Sequence, residues 1–331
     1  SLTMRVLVIG GTGSFSSRIT ELAARRGHDV MVVTRGRRAL AGELRARMLI
    51  AERSELRSHA ASIARFDPEA VVDSICFEAA RAEDLVALFS SARRVVLVSS
   101  VDVYGEDVGG APVTEERAPR PATAYAQGKL ACERVVLDGL GARATVIRPS
   151  HILGRAFLTT SLWSRSPYPV DRIRKGKAVP AIDGGRNLMT PVYALDAASW
   201  VVESFENPAA DGEVFNAVGA EIVTQRDYYA CIARILGVEL KLVAIPSQVF
   251  RRCVDSPSAF NFHRPYSNAK AVARLGQRPA ATLRTMMEET VGYMLEHGLA
   301  KDCAERPVDD ALVELALRHE AELQGLLASK S

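Results

Sequence analysis

Tyr125 and Lys129 stand four residues apart in Tyr125-Ala-Gln-Gly-Lys129, inside a helical stretch over 124–140. That spacing puts phenol and ammonium on one helix face, about one turn apart. A cation beside a phenol favours phenolate, drawing a tyrosine pKa down from about 10. Such a pair can pass a proton to a substrate while the ammonium donates to ribose hydroxyls. On spacing alone, an ordinary surface helix explains the pair equally well. The weight comes from Val95-Val-Leu-Val-Ser-Ser-Val-Asp-Val-Tyr-Gly105, where an apolar run ends in the hydroxyls of Ser99 and Ser100. The run reads as a strand buried on both faces, and ligands of parallel sheets bind at the carboxyl edge of their strands.

A second constellation lies at Val6-Leu-Val-Ile-Gly-Gly-Thr-Gly-Ser-Phe-Ser-Ser-Arg-Ile19. A short apolar run ends in glycines and passes directly into a helical pattern, the turn that a pyrophosphate needs. Gly10 reaches φ values closed to other residues, and Gly13 lets the backbone approach the phosphates. A helix opening near Ser14 aims unpaired N–H groups and its dipole at the negative charge. Any tight strand-to-helix turn favours glycine. This one sits on the first strand and first helix, with a second apolar strand at Asp29–Thr34, where a dinucleotide site belongs.

The elements that must position these residues alternate. Strand-like runs occur at 5–9, 30–34, 70–75, 94–99 and 144–148, with helical stretches at 14–26, 81–90 and 124–140 between them. That order predicts an α/β fold: a Rossmann-type, doubly wound parallel sheet with right-handed crossovers and a small C-terminal substrate lobe. Residues 1–170 and 190–222 are assigned to a discontinuous dinucleotide-binding domain, 171–189 and 223–300 to the lobe, and 301–331 to a helical tail. Residues 194–206 read as a helix and 213–217 as a late strand of the nucleotide domain. In the lobe, a strand is expected over 239–245 and a helix over 268–275.

Composition narrows the function classes. A net charge of +3 over 331 residues provides no global field for nucleic acid or a membrane. The longest apolar runs are strand-sized, and no charged leader with a cleavage site precedes them, so a cytoplasmic location is expected. Cys76, Cys132, Cys231, Cys253 and Cys303 show no metal-ligand spacing, and neither do the histidines; no metal is expected.

These motifs together resemble the extended short-chain dehydrogenase/reductases, the NAD-dependent epimerase/dehydratase family, over about Arg5 to His297. The resemblance rests on the glycine turn, the Ser-Ser…Val-Tyr-Gly strand end and Tyr-x-x-x-Lys. Arg148-Pro149, Thr190-Pro-Val-Tyr-Ala-Leu-Asp196 and Asn268-Ala-Lys…Leu-Gly…Pro279 add to it. It implies NAD(P)-dependent chemistry at a secondary alcohol or ketone of a sugar or sugar nucleotide, by epimerisation, dehydration or reduction. Ser100 would be the catalytic hydroxyl, Tyr125 the general acid/base, and Lys129 the holder of the ribose. Asp102 falls at the second position of the dehydratases' acid/base pair, where it would act as a base at carbon; a cap on the following turn is the competing reading. The cofactor would lie against Gly10, Gly13, Ser14, Phe15, Thr34 and Arg35. Arg38, Ser74, Ser99, Tyr125, Lys129 and Pro149 would complete its site. Val101, His151, Arg186 and Arg264 would meet the substrate. A homodimer formed through the 81–90 and 124–140 helices is implied.

Several positions depart from the family pattern. Ser16 replaces the third glycine of the turn. Where an acidic residue often holds the adenosine ribose, this chain reads Thr34-Arg-Gly-Arg-Arg38, which favours the 2′-phosphate of NADP over NAD. The third strand, Val71-Val-Asp-Ser-Ile-Cys-Phe77, resembles the branch of the chloroplast stem-loop-binding proteins and related bacterial reductases. The arginines between Arg35 and Arg47 carry no interleaved aromatic residues, so nucleic-acid binding is disfavoured. Met189 stands where sugar-nucleotide enzymes place an arginine on the diphosphate. Arg172, Arg174, Lys175, Arg186 and Arg264 are the possible substitutes. A non-nucleotide sugar or other small carbonyl compound is the alternative substrate, and a non-catalytic NAD(P)-binding protein the alternative class.

Overall fold

The computed structural model describes residues 2–40, 44, 46–106, 109–160, 162–254 and 262–329. The chain divides into two compact units: 1–152, 191–220 and 266–281 form the first, and 153–190, 221–265 and 282–331 the second.

The first unit is built on β1 (Arg5–Ile9), β2 (Asp29–Thr34), β3 (Ala46–Ile50), β4 (Ala70–Asp73), β5 (Arg94–Val98), β6 (Ala144–Pro149) and β7 (Glu213–Ala217). They form one parallel sheet in the order β7-β6-β5-β4-β1-β2-β3. The order reverses between β1 and β4, where doubly wound sheets bind ligands. Alternate side chains feed two apolar layers. Val6, Val8, Val32, Val72 and Val96 meet Ile19 and Ala23 of helix α1 (Ser16–Arg25) and Trp200 and Val201 of the Ala194–Glu203 helix. On the other face, Leu7, Ile9, Val71, Val95 and Leu97 meet Leu85 and Phe89 of α2 (Ala79–Phe89) and Cys132 and Val136 of α3 (Ala124–Leu140). Those helices pack against each other, and the Thr123 hydroxyl caps the first turn of α3 by accepting from the Ala126 N–H.

The structure corrects the sequence reading in several places. The glycine turn holds the chain longer than expected: α1 begins at Ser16, with Phe15 in the N-cap position, instead of near Ser14. Strand β3 and the Arg53–Phe66 helical segment behind it were not anticipated. Residues 266–281 belong to the first unit, because the Asn268 side chain donates to the Val218 and Gly219 carbonyls and Ala271 and Leu275 enter its core.

In the second unit, Val179–Ile182 pairs in parallel with Leu242–Ile245. The Gln225–Leu236 helix opens on a reciprocal Thr224–Asp227 cap, and a Leu283–Glu296 helix follows. The terminal Pro307–Ala328 helix is not a separate tail over its first half. Leu312 and Ala316 pack onto Ile182, Ile245 and Phe250. No helix among the described residues is long and apolar enough to cross a membrane.

Candidate active site

At the switch point of the first unit, Gly10 has φ +85°, and a Cβ there would lie 2.9 Å from Ile75 and 3.0 Å from Ser74 Oγ. Only glycine fits between β1 and the segment after β4. The Thr12 and Gly13 N–H groups both donate to the Gly10 carbonyl, closing the turn. Ser16, in place of a third glycine, turns its hydroxyl inward: it donates to the Gly10 carbonyl and accepts from the Gly13 N–H. No side chain caps the N-terminus of α1, so Ser14 and Phe15 sit at the positive end of a helix ready for an anion.

An open cleft of about 830 Å³ runs from this turn past Thr34, Arg35, Arg37 and Arg38 to Arg53 and Arg81. Thr34 Oγ1 accepts from the Gly36 N–H at 3.2 Å, curling the β2 end. Arg35, Arg37 and Arg38 are exposed and make no ion pair with a described residue. Of the basic run, Arg45 lies outside the described residues. Glu52 and Arg53 also line the cleft, and neither is expected from the sequence, because they follow the unexpected strand β3. No sequence signal marks them, because so short an alternation reads no differently from a loop. Arg53 is buried against Asp73 at 2.8 Å and donates to the Arg81 carbonyl at 2.6 Å.

The candidate catalytic residues lie near the ends of β5 and β6. Lys129 is buried, donates from Nζ to the Val98 carbonyl at 2.9 Å, and sits 5.8 Å from the Tyr125 ring and 4.5 Å from the Phe77 ring. Burial pushes its ammonium down from the ordinary lysine value, against the pull of the nearby Asp73 carboxylate. Tyr125 itself is 46% exposed, so the phenol is open to a ligand. Ser100 stands two residues beyond β5, and its Oγ accepts from the Asp102 N–H at 3.1 Å, opening a helical turn over Val101–Tyr104. Helix α3 packs on that turn. The Val101 side chain is core, with Val103, Leu130 and Val218, so it offers a ligand only its backbone. Asp102 is half-buried within the turn. Ser99 Oγ is buried without a hydrogen-bond partner among the described residues. Ser74 Oγ donates to the Ile9 carbonyl at 2.9 Å. Pro149 ends β6 beside Ala217, and the carbonyl of half-buried His151 accepts from Val192 at 2.9 Å.

Beneath these residues runs a buried network that sequence reasoning did not single out. Arg148 donates to both carboxylate oxygens of Glu133, at 2.9 and 2.6 Å, and to the Tyr104 hydroxyl at 2.9 Å. Tyr104 in turn donates to Asn216 Oδ1 at 2.7 Å. This ties α3, β6, β7 and the turn after Ser100 into one piece. Its signal was Glu133, a carboxylate four residues beyond Lys129 on a buried helix face.

In the second unit, Met189 is buried, and the Arg264 backbone bonds to both its neighbours, Leu188 and Thr190. The Arg264 guanidinium lies over the Phe262 ring, and Arg186 is exposed. Three expected substitutes for the phosphate clamp are engaged elsewhere. Arg172 pairs with Asp310 at 2.9 Å, and Arg174 and Lys175 each pair with Asp171 at 2.7 Å. Asp171, Asp302 and Cys303 come close enough to hold a metal, but the Lys175 ammonium lies between the two carboxylates, 2.7 and 2.9 Å away.

The glycine turn, switch point and Tyr–Lys helix coincide with a family model. Residues 6–217 match the description "NAD dependent epimerase/dehydratase family". The chain belongs to that family. It is an enzyme of the extended short-chain dehydrogenase/reductase type. Among curated relatives, the 2′-dehydrokanamycin reductase of Streptomyces kanamyceticus is 30% identical over 254 residues, 74% of this chain and 70% of that protein. The chloroplast stem-loop binding protein of 41 kDa b of Arabidopsis thaliana is 24% identical over 66% of this chain and 60% of its own length. Among solved structures, UDP-glucose 4-epimerase from Thermotoga maritima, with UDP-glucose, superposes with a TM-score of 0.73 at 19% identity, covering 89% of this chain and 99% of that one. The Thermus thermophilus UDP-glucose 4-epimerase complex with NAD gives 0.70 at 20% identity, over 88% and 99% of the two chains.

Proposed function

We propose that this enzyme is an NADP(H)-dependent reductase of a ketone on a sugar-type ring that carries no nucleotide diphosphate. The observation that carries the reading is the buried Lys129 ammonium at the β5 end, 5.8 Å from the half-exposed Tyr125 ring and one strand end from Ser100. The site fits a dinucleotide: α1 is uncapped, Gly10 admits no Cβ, and Ser99 Oγ is buried without a partner among the described residues. Gly10, Gly13, Ser14 and Phe15 would hold the pyrophosphate, Thr34, Arg35 and Arg38 the adenosine ribose and its 2′-phosphate, and Ser74, Ser99 and Pro149 the inner half. A nicotinamide bound there supplies hydride.

The chain's own groups supply the rest. Ser100 donates a hydrogen bond to the substrate carbonyl oxygen, a preorganised contact that strengthens as negative charge develops there. Tyr125 gives its phenolic proton to that oxygen, and the Lys129 charge stabilises the phenolate left behind. Of the residues expected to meet the substrate, His151 shares the unit of Ser100 and Tyr125, and we assign it to the substrate. Met189 argues against a diphosphate: a buried thioether cannot neutralise phosphate, and Arg172, Arg174 and Lys175 are committed to Asp310 and Asp171. The 2′-dehydrokanamycin reductase supports the same substrate class. Asp102, a half-buried carboxylate two residues after Ser100, supports a second reading in which it acts as a base at carbon in a redox-neutral epimerisation.

The test is NADPH oxidation by the purified chain against a panel of keto-sugars and nucleotide sugars. Turnover is expected with the former. Tyr125→Phe should cut it by about two to four orders of magnitude while NADPH affinity is retained. Normal turnover by that variant, or turnover of nucleotide sugars alone, would overturn the assignment.

A further inference from the structure

Cys76 and Cys132 take no part in the reaction above, yet the fold brings their sulfurs together. Cys76 lies in the connection between β4 and α2, and Cys132 lies on α3, three residues beyond Lys129. Both are fully buried, and the Cys76 S–H donates to Cys132 Sγ across 3.6 Å. The approach is built into the backbone. A Cβ on Gly128 would collide with the Phe77 carbonyl oxygen, so glycine there lets the connection lie directly on α3. The neighbours of Cys76 touch the candidate site on both sides. Ser74 and Ile75 wall the Gly10 turn, and the Phe77 ring lies 4.5 Å from Lys129 Nζ.

We propose that Cys76 and Cys132 are an oxidation site, closing to a reversible disulfide in the presence of a peroxide, and that the closed form binds the dinucleotide more weakly. Cys132 is the attacking sulfur. The Cys76 S–H it accepts and the Lys129 charge hold its thiol below the ordinary value against the opposing effect of burial, and thiolate is the reactive form. Cys132 sulfur attacks one peroxide oxygen, the O–O bond breaks, and hydroxide leaves a sulfenic acid. Cys76 sulfur then attacks Cys132 sulfur; the S–O bond breaks, and the leaving hydroxide departs as water with a proton. In sum, two thiols and one hydrogen peroxide give one disulfide and two waters: the sulfurs lose two electrons and the peroxide gains them.

Closure requires the sulfurs to move from 3.6 Å to about 2 Å. Helix α3 is hydrogen-bonded along its length, so the connection moves and carries Ser74, Ile75 and Phe77 with it. Linkage makes the effect reciprocal: bound dinucleotide opposes the disulfide by the factor through which the disulfide weakens binding.

The coupling rests on the assigned cofactor cleft but not on the proposed reaction, and its primary readout is chemical. The full chain carrying Cys253→Ser, which removes the exposed thiol, is treated with hydrogen peroxide. The expected result is loss of two hydrogens by intact mass, a peptide cross-linked between positions 76 and 132, and recovery with dithiothreitol. The Kd for whichever of NADPH or NADH binds the reduced protein more tightly should rise about fivefold or more. Cys132→Ala on the same background should hold its Kd constant under the same treatment. A folded parent that forms no 76–132 cross-link overturns the proposal, as does a cross-link that leaves the Kd unchanged. Inactivity toward keto-sugars would leave these readouts untouched.

Discussion

At the scale of single residues, the proposed preference for NADP rests on Arg35. It lies at the exposed end of β2, lines the cleft beside Thr34, and pairs with no described acid. A guanidinium gains a charge-assisted contact from a 2′-phosphate and little from neutral ribose hydroxyls. Arg35→Ala should therefore weaken NADPH binding by about 1–3 kcal/mol and leave NADH nearly unchanged, as read by fluorescence titration of both. Equal losses, or tighter NADH binding by the parent, would contradict the NADP assignment. Arg35, Tyr125, Lys129 and Ser100 could all be named from sequence, because each follows a strand end or sits at helix-turn spacing. Arg53 and Glu52 could not, since their visibility depended on recognising β3.

At the scale of elements, α3 carries Tyr125 and Lys129, and besides its apolar packing the Arg148–Glu133 pair ties it to β6. Both side chains are buried, so removing one partner leaves an uncompensated charge. Arg148→Met should destabilise the fold by about 3–5 kcal/mol, and Arg148→Met with Glu133→Leu by much less, measured by urea unfolding. A single substitution with no effect would show that the pair does not anchor the helix. Tyr104 adds a pH dependence to the same network. Burial pushes its phenol up to about 12, against about 10 in an unfolded chain. Above pH 10 the unfolded state loses this proton first, so the contribution is complete below pH 10 and is lost as pH rises toward 12. The free energy of unfolding measured across that window should therefore fall more steeply for the parent than for Tyr104→Phe. Of the elements, β1, β2, β4, β5 and β6 were legible because their apolar runs are short and punctuated. Strand β3 was not, for it lies at the sheet edge and leaves Met48 and Ile50 exposed with Arg47 between β2 and solvent. Nothing in so short an alternation distinguishes a strand from a loop.

At the scale of the whole molecule, the switch point between β1 and β4 places the glycine turn, the arginine-lined cleft and the Tyr–Lys helix in one unit. In the second unit, Met189 is buried and Arg186 is exposed. The fold class was legible from strand–helix alternation, whereas residues 266–281 were misassigned because a short helix after a loop carries no mark of the core it joins. The proposed reaction is net reduction of a ketone, with hydride entering from the cofactor and the proton from Tyr125. The most direct measurement uses NADPH deuterated at the transferring position, with a keto-sugar substrate, and follows both absorbance and product mass. One NADPH oxidised and one deuterium fixed at the carbinol carbon are expected for each product formed. Product accumulating with no net NADPH consumed would contradict it, and would make this enzyme a redox-neutral epimerase or dehydratase.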